Sequence, residues 1–193
     1  MRFKYIIHIS IVLALLAGVL ILLPAEARAH CDTMDGPVVK AAQRALATRN
    51  ANLVLIWVQE KDEAEIMQRF RQTLAVRRLN RQARNLADNY FFETLVRLHR
   101  AGEGEPYTGL KPAGTDLGPI IPLADEALQN GSTEALLNMF AASEQADLEK
   151  RLQEIKAKRS FKEDDLAAGR EFVKSYISFM HYVEHLYEER HKT

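Results

Sequence analysis

His30-Cys31-Asp32-Thr33-Met34-Asp35-Gly36 gathers an imidazole, a thiol and two carboxylates into one short run. What precedes it reads as an export signal. Arg2 and Lys4 are followed by residues 6–23, which are apolar apart from His8 and Ser10, then by Pro24 and the small-residue sites that permit cleavage after Ala27 or Ala29. Cleavage after Ala29, the preferred site, frees the α-amine of His30, whose ordinary pKa is ~7.7–8.0, beside its imidazole and the Cys31 thiol. An amide nitrogen cannot donate a lone pair, so the cut itself would create the chelate. Mixed nitrogen and sulfur donors favour nickel, copper or zinc over magnesium or calcium. The expected metal ligands are therefore His30 and Cys31, with Asp35 or His99 as a further donor, and affinity should fall below about pH 6 to 7 as the donors take up protons. The plainer alternative for the motif is a mobile amino terminus leading into an Asp-capped helix; that for residues 6–23 is an uncleaved anchor, near the ~20 residues that span a bilayer.

Other candidates carry less. Cys31 is the only cysteine, and it is not a lipoprotein cysteine, because His30 stands where a small residue is required. His181 and His185 are spaced to clamp an ion from one helix face. They lie opposite the apolar stripe of Phe172, Tyr176, Phe179, Met180, Val183 and Leu186, which fits a solvated face. His99 shares the apolar face of Phe92 and Leu95 and is expected in the core, at the end of its helix. The run GEPYTGLK imitates a phosphate loop, but Leu110 occupies the lysine position and a helix precedes it, so nucleotide binding is rejected. No Ser/His/Asp geometry or paired-carboxylate spacing supports a hydrolase.

Composition sets the frame for these residues. The chain has 193 residues, 47% hydrophobic, with 26 Lys plus Arg balancing 26 Asp plus Glu. A neutral, half-apolar chain of this length forms one packed domain, and the charge balance argues against nucleic acid as a partner. A single cysteine excludes a disulfide framework.

The elements that must position the candidates are helices. A helix should start at Asp35-Gly36-Pro37 and run through VVKAAQRALA, and residues 50–58 read as a buried connector or short helix around Trp57. Asp62 and Glu65 resemble a capping box ahead of Ile66, Met67, Phe70 and Leu74. The next helix begins near Asn80. Leu79, Ala83, Leu86 and Tyr90 share one of its faces and Phe91, Phe92, Leu95 and Leu98 the opposite one, which predicts a helix packed on both sides; Glu93 and Arg97 are spaced to pair. Residues 102–122 hold five of the nine glycines and four of the six prolines. They are expected to form an ordered loop laid on the body, anchored by Tyr107, Leu110, Leu117, Ile120 and Ile121. A short helix over 123–129, a longer one from Ser132 or Thr133 through about Lys158, and a last one over 163–191 complete an all-α fold, an antiparallel bundle with the loop across one end. Residues 1–29 are thus assigned to a signal peptide and 30–193 to one helical domain.

Two resemblances add to this reading. The run HCDTMDG is similar to the amino-terminal hook, H-C-D-x-x-C-G, of nickel superoxide dismutase, a small helical bundle. His30, Cys31, Asp32 and Gly36 match in order and spacing, whereas Asp35 replaces the second cysteine ligand and Pro37 and Val38 leave no counterpart of the nearby tyrosine. Over its length the chain resembles an uncharacterised group of exported bacterial proteins beginning HCDTxDGPVV and carrying a GEGxPYTGLKPAG loop, which implies export and supplies no activity. The expected function is an exported, periplasmic or extracellular metal-binding protein, with superoxide-dismutase-like redox chemistry as the activity the hook implies. Its alternative is a metal-free helical interaction module that docks through the charged faces of residues 143–165 or through the loop. A membrane is expected as a partner only through an uncleaved signal.

Overall fold

The computed structural model describes residues 30–191, so the export-signal reading of residues 1–29 lies outside the described residues. The chain is all-α: eight helices, with no strand among the described residues beyond one isolated parallel bridge between Thr33 and Lys111. In order they are α1 (Pro37–Thr48), α2 (Asn52–Leu55), α3 (Glu63–Val76), α4 (Arg81–Glu103), α5 (Ile120–Asn130), α6 (Glu134–Leu137), α7 (Ala142–Lys158) and α8 (Leu166–Arg190). A 3₁₀ turn, His30–Asp32, precedes α1, and another, Glu60–Asp62, leads into α3. No described helix is long and apolar enough to cross a membrane.

Local chemistry sets the helix ends. Gly36 caps α1 in extended conformation and Pro37 fills the first helical position, where a missing N–H costs nothing. The Asn80 side chain accepts the Ala83 N–H (2.8 Å) at the start of α4, and the Asp165 side chain accepts the Ala168 N–H (3.0 Å) at the start of α8. Helix α4 stops at Gly104, whose φ of 79° lies in the left-handed region that glycine enters without a Cβ clash.

Helices α3 and α4 form a hairpin, α1 packs on α2 and α4, and α5 and α7 lie against α8. The core runs through the middle of α4, where Phe91, Leu95 and Val96 are fully buried, to Ile66 of α3, Leu46 of α1, Leu148 of α7 and Phe179 of α8. The loop between α4 and α5 is laid on this body as expected: Tyr107, Leu110 and Leu117 are half-buried against the core.

Several sequence expectations are corrected. The glycine-rich stretch is shorter than 102–122, because α4 continues to Glu103 and α5 starts at Ile120, with Pro122 in the first turn where no intrahelical N–H is needed. The helix expected from Ser132 to Lys158 is two, since the chain turns between Leu137 and Ala142. The Asp62 side chain makes no capping hydrogen bond; the 3₁₀ turn before it begins the helix instead. Arg97 reaches across to Glu65 of α3 (3.1 Å) rather than along its own helix to Glu93. The Leu79, Leu86 and Tyr90 face is not packed but exposed, because only the opposite face of α4 meets the core.

A buried polar cluster beneath the amino-terminal segment

The His30–Asp32 turn is built into the body rather than hanging from it. Lys111 N–H donates to the Asp32 carbonyl (2.8 Å) and Met34 N–H to the Lys111 carbonyl (3.0 Å), which ties the segment to the long loop. Cys31 and Asp32 are buried, at 8% and 1% exposure. The alternative of a mobile amino terminus fails here, because the segment fills a slot. Gly36 explains the fit: a Cβ at this position would lie 2.3 Å from the His30 carbonyl oxygen and 2.9 Å from the Thr33 hydroxyl. Gly36→Ala should therefore prise the segment from its seat at a cost of about 1–3 kcal/mol. The Cys31 thiol, protected in the native wild type, should then react at least about tenfold faster with a chromogenic disulfide reagent, by the local-opening argument.

Under this segment α4 presents His99, Arg100 and Glu103 from its last turn. His99 is 4% exposed. Its Nδ1 lies 2.9 Å from the Trp57 carbonyl, which only an N–H can satisfy, so the tautomer is fixed and Nε2 carries the lone pair. That Nε2 approaches Glu103 Oε1 to 3.3 Å without forming a hydrogen bond, and both atoms are buried with no other partner. Burial holds the His99 imidazole down to about pKa 4, against the pull of the Trp57 carbonyl, and pushes the Glu103 carboxyl up despite Arg100.

Arg100, 3% exposed, serves three carboxylates at once: Glu103 Oε2 at 3.0 Å, Glu105 at 3.5 Å and Asp32 Oδ1 at 3.7 Å. Burial raises Asp32 to about pKa 6, with Arg100 opposing. The Cys31 thiol is raised well above its ordinary value by burial first and by the Glu103 charge next, so it is a thiol and not a thiolate in this environment. Burial also pushes the Tyr107 hydroxyl up to about 12, against the pull of the Leu110 backbone.

The His30 ring faces another way. Its Nε2 lies 2.7 Å from Asp125 Oδ2 of α5, while Tyr176 of α8 donates its hydroxyl to Asp125 Oδ1 (2.8 Å) and stands 3.4 Å from His30 Nδ1. Asp35 is exposed and accepts the Gly114 N–H (2.9 Å), which holds its carboxyl below the usual range. It does not cap α1. Of the four expected metal ligands, His99 stands in the Arg100 cluster, Cys31 lies within range of its charges, His30 belongs to the Asp125–Tyr176 group, and Asp35 is held by the loop. Among the described residues no three His, Cys, Asp or Glu side chains stand close enough to enclose an ion as they are. His181 and His185 are exposed, as their helix face predicts, and His181 borders the groove beside His99.

Two openings flank Trp57. One is a cavity of ≈ 200 Å³ walled by Trp57, Leu128, Phe172 and Tyr176, with Asp125 on its edge. The other is a groove of ≈ 640 Å³ where His99 and Glu103 meet Trp57 and His181. The indole stands edge-on to both His99 (5.6 Å) and Tyr176 (6.1 Å), so the only tryptophan touches both groups.

Residues 35–182 match the model of DUF6448, a family of unknown function. The chain belongs to this family. His99, Arg100, Glu103, Asp125 and Tyr176 all fall within the DUF6448 match, whereas His30, Cys31 and Asp32 precede it. No curated protein matches the chain, and no solved structure does.

Glu103 is legible in the sequence only as the i, i+4 neighbour of His99, the spacing that also relates His181 and His185. Asp125 and Tyr176 carried no local signal, since each sits at an ordinary helical position and gains meaning only from the fold.

Proposed function

We propose that this is an exported metal-binding protein whose site is nucleated by His99 and Glu103 of α4, with the Cys31 thiol supplied by the docked amino-terminal segment. The observation that carries the reading is the unpartnered pair of buried acceptors, His99 Nε2 and Glu103 Oε1, 3.3 Å apart. Two buried lone pairs facing each other repel unless a proton or a metal ion lies between them. A nitrogen and an oxygen bound at 2.0–2.1 Å to one tetrahedral ion stand about 3.3 Å apart, so the gap has the separation that zinc or a similar ion imposes. The Trp57 carbonyl on Nδ1 supplies the outer-sphere contact that fixes a ligating histidine. Nickel, copper or zinc suits such a nitrogen, oxygen and sulfur set. The bound ion would also lower the thiol's pKa, converting Cys31 to the thiolate that burial alone forbids.

The nickel superoxide dismutase hook does not fit these residues as a unit. His30 is engaged by Asp125, and the position of the second thiolate is Asp35, exposed on the loop side. The proposed activity therefore stops at binding.

Titration of the reduced, chelator-treated protein with Co²⁺ tests the reading. One equivalent should bind, perturb Trp57 fluorescence and give a thiolate-to-cobalt absorption band. His99→Ala and Glu103→Gln should each weaken binding by at least about a hundredfold, and Cys31→Ser should remove the band. Equal affinity across wild type and the three variants would overturn the assignment. Loss confined to a His30→Ala variant would return the site to the amino-terminal chelate.

A further inference from the structure

From residue 66 to residue 87 the sequence carries six arginines, Arg69, Arg71, Arg77, Arg78, Arg81 and Arg84, with no lysine and no acidic residue, inside a chain whose total charge is zero. This stretch is the end of α3, the turn and the start of α4, so it forms the tip of their hairpin. The exposed large hydrophobics among the described residues gather at the same tip: Val76 (41%), Leu79 (71%), Leu86 (75%) and Tyr90 (47%). Leu79, Leu86 and Tyr90 follow one face at helical spacing.

Two of the arginines hold the hairpin together. Arg77 binds both oxygens of Asp88 (2.8 and 3.0 Å) and the Leu46 carbonyl (3.0 Å), and Arg69 lies over the Tyr90 ring. Arg71, Arg78, Arg81 and Arg84 are exposed. Asp88, the first acidic residue after the stretch, is already bound by Arg77. Fixed positive charge beside leucines that no part of the described chain covers is the composition of a surface that settles at a lipid interface.

We propose that the tip of the α3–α4 hairpin docks on an anionic lipid bilayer, with Leu79 and Leu86 inserted at the acyl boundary and the exposed arginines on headgroup phosphates. Charge complementarity selects this occupant. An apolar protein partner would explain the leucines and leave the arginines unused. Nucleic acid would explain the arginines and leave two leucines, each more than two-thirds exposed, without a role.

Vesicle flotation of the chain as its host makes it provides the test. Wild type and variants share residues 1–29 or their loss, so differences report only the tip. Wild type should float with phosphatidylcholine vesicles containing 30% phosphatidylglycerol and much less with phosphatidylcholine alone, and binding should weaken as salt rises. Arg78→Gln, Arg81→Gln and Arg84→Gln should each lower the partition coefficient roughly fivefold, and Leu79→Ser and Leu86→Ser each roughly tenfold. All five positions are exposed, so the variants should retain the wild-type melting temperature. Variants that float like wild type would overturn the proposal. So would flotation indifferent to phosphatidylglycerol, tighter binding to duplex DNA than to the anionic vesicles, or a solution dimer abolished by Leu86→Ser, which would make a second copy the occupant.

Discussion

Arg100→Met should cost about 3–5 kcal/mol of folding stability at pH 7, the usual consequence of removing one member of a buried ionic group. Arg100 is the cation set against Asp32, Glu103 and Glu105, and the first two of these have side chains only 1% and 13% exposed. Without it, two desolvated carboxylates face each other uncompensated. The deficit is greatest where both are ionised and shrinks as pH falls below about 6, since burial already raises both carboxyls and loss of Arg100 raises them further. Urea denaturation at pH 7 and pH 5 measures both effects. A companion variant that also carries Asp32→Asn and Glu103→Gln should regain most of the loss, because it removes the charges that Arg100 neutralises. A loss below about 1 kcal/mol in Arg100→Met, or no recovery in the companion, would show that the guanidinium does not hold this cluster together.

The second expectation concerns pH in the metal-free protein. His99 is depressed to about pKa 4, so the unfolded chain takes a proton near pH 6.5 that the folded chain refuses; this contribution lowers stability as pH falls from 6.5 to 4. Asp32, raised to about 6, acts in the opposite direction over the same range, because the folded chain accepts its proton first. Each shift of about two units corresponds to about 3 kcal/mol. The His99 and Asp32 contributions should therefore nearly cancel between pH 4 and 6, leaving the stabilisation on acidification that the raised Glu103 carboxyl adds. His99→Gln should gain stability on acidification and Asp32→Asn should lose it. Parallel profiles for the two variants would refute the balance.

Much of the helical framework is legible in the sequence because its signals are local. Pro37 at the start of α1, Asn80 and Asp165 as side-chain caps, and Gly104 at the end of α4 each act within one helical turn. Burial of His99 was readable from its spacing to Phe92 and Leu95. What periodicity misjudged was the face of Leu79, Leu86 and Tyr90, since an apolar stripe shows that a helix has something to bury and not that the rest of the chain supplies the cover. The polar cluster was illegible for another reason. Cys31, Asp32, His99, Arg100 and Glu103 come from two remote segments, and Asp125 with Tyr176 from two more, so only long-range packing discloses that the amino-terminal turn lies over the last turn of α4. Asp35 does not cap α1, because its carboxylate accepts a backbone N–H some eighty residues on, at Gly114.

The contact between His30 and Tyr176 spans 146 residues. A link of this separation closes nearly the whole described chain into one loop, and closure entropy delays such a link until nearer contacts have formed. The α3–α4 hairpin and the α7–α8 pair join neighbouring helices and can assemble early. The His30–Asp32 turn is then seated late, over a body already condensed. Seating that turn is therefore the step that buries Cys31, and the thiol is shielded only once the turn lies on the assembled body.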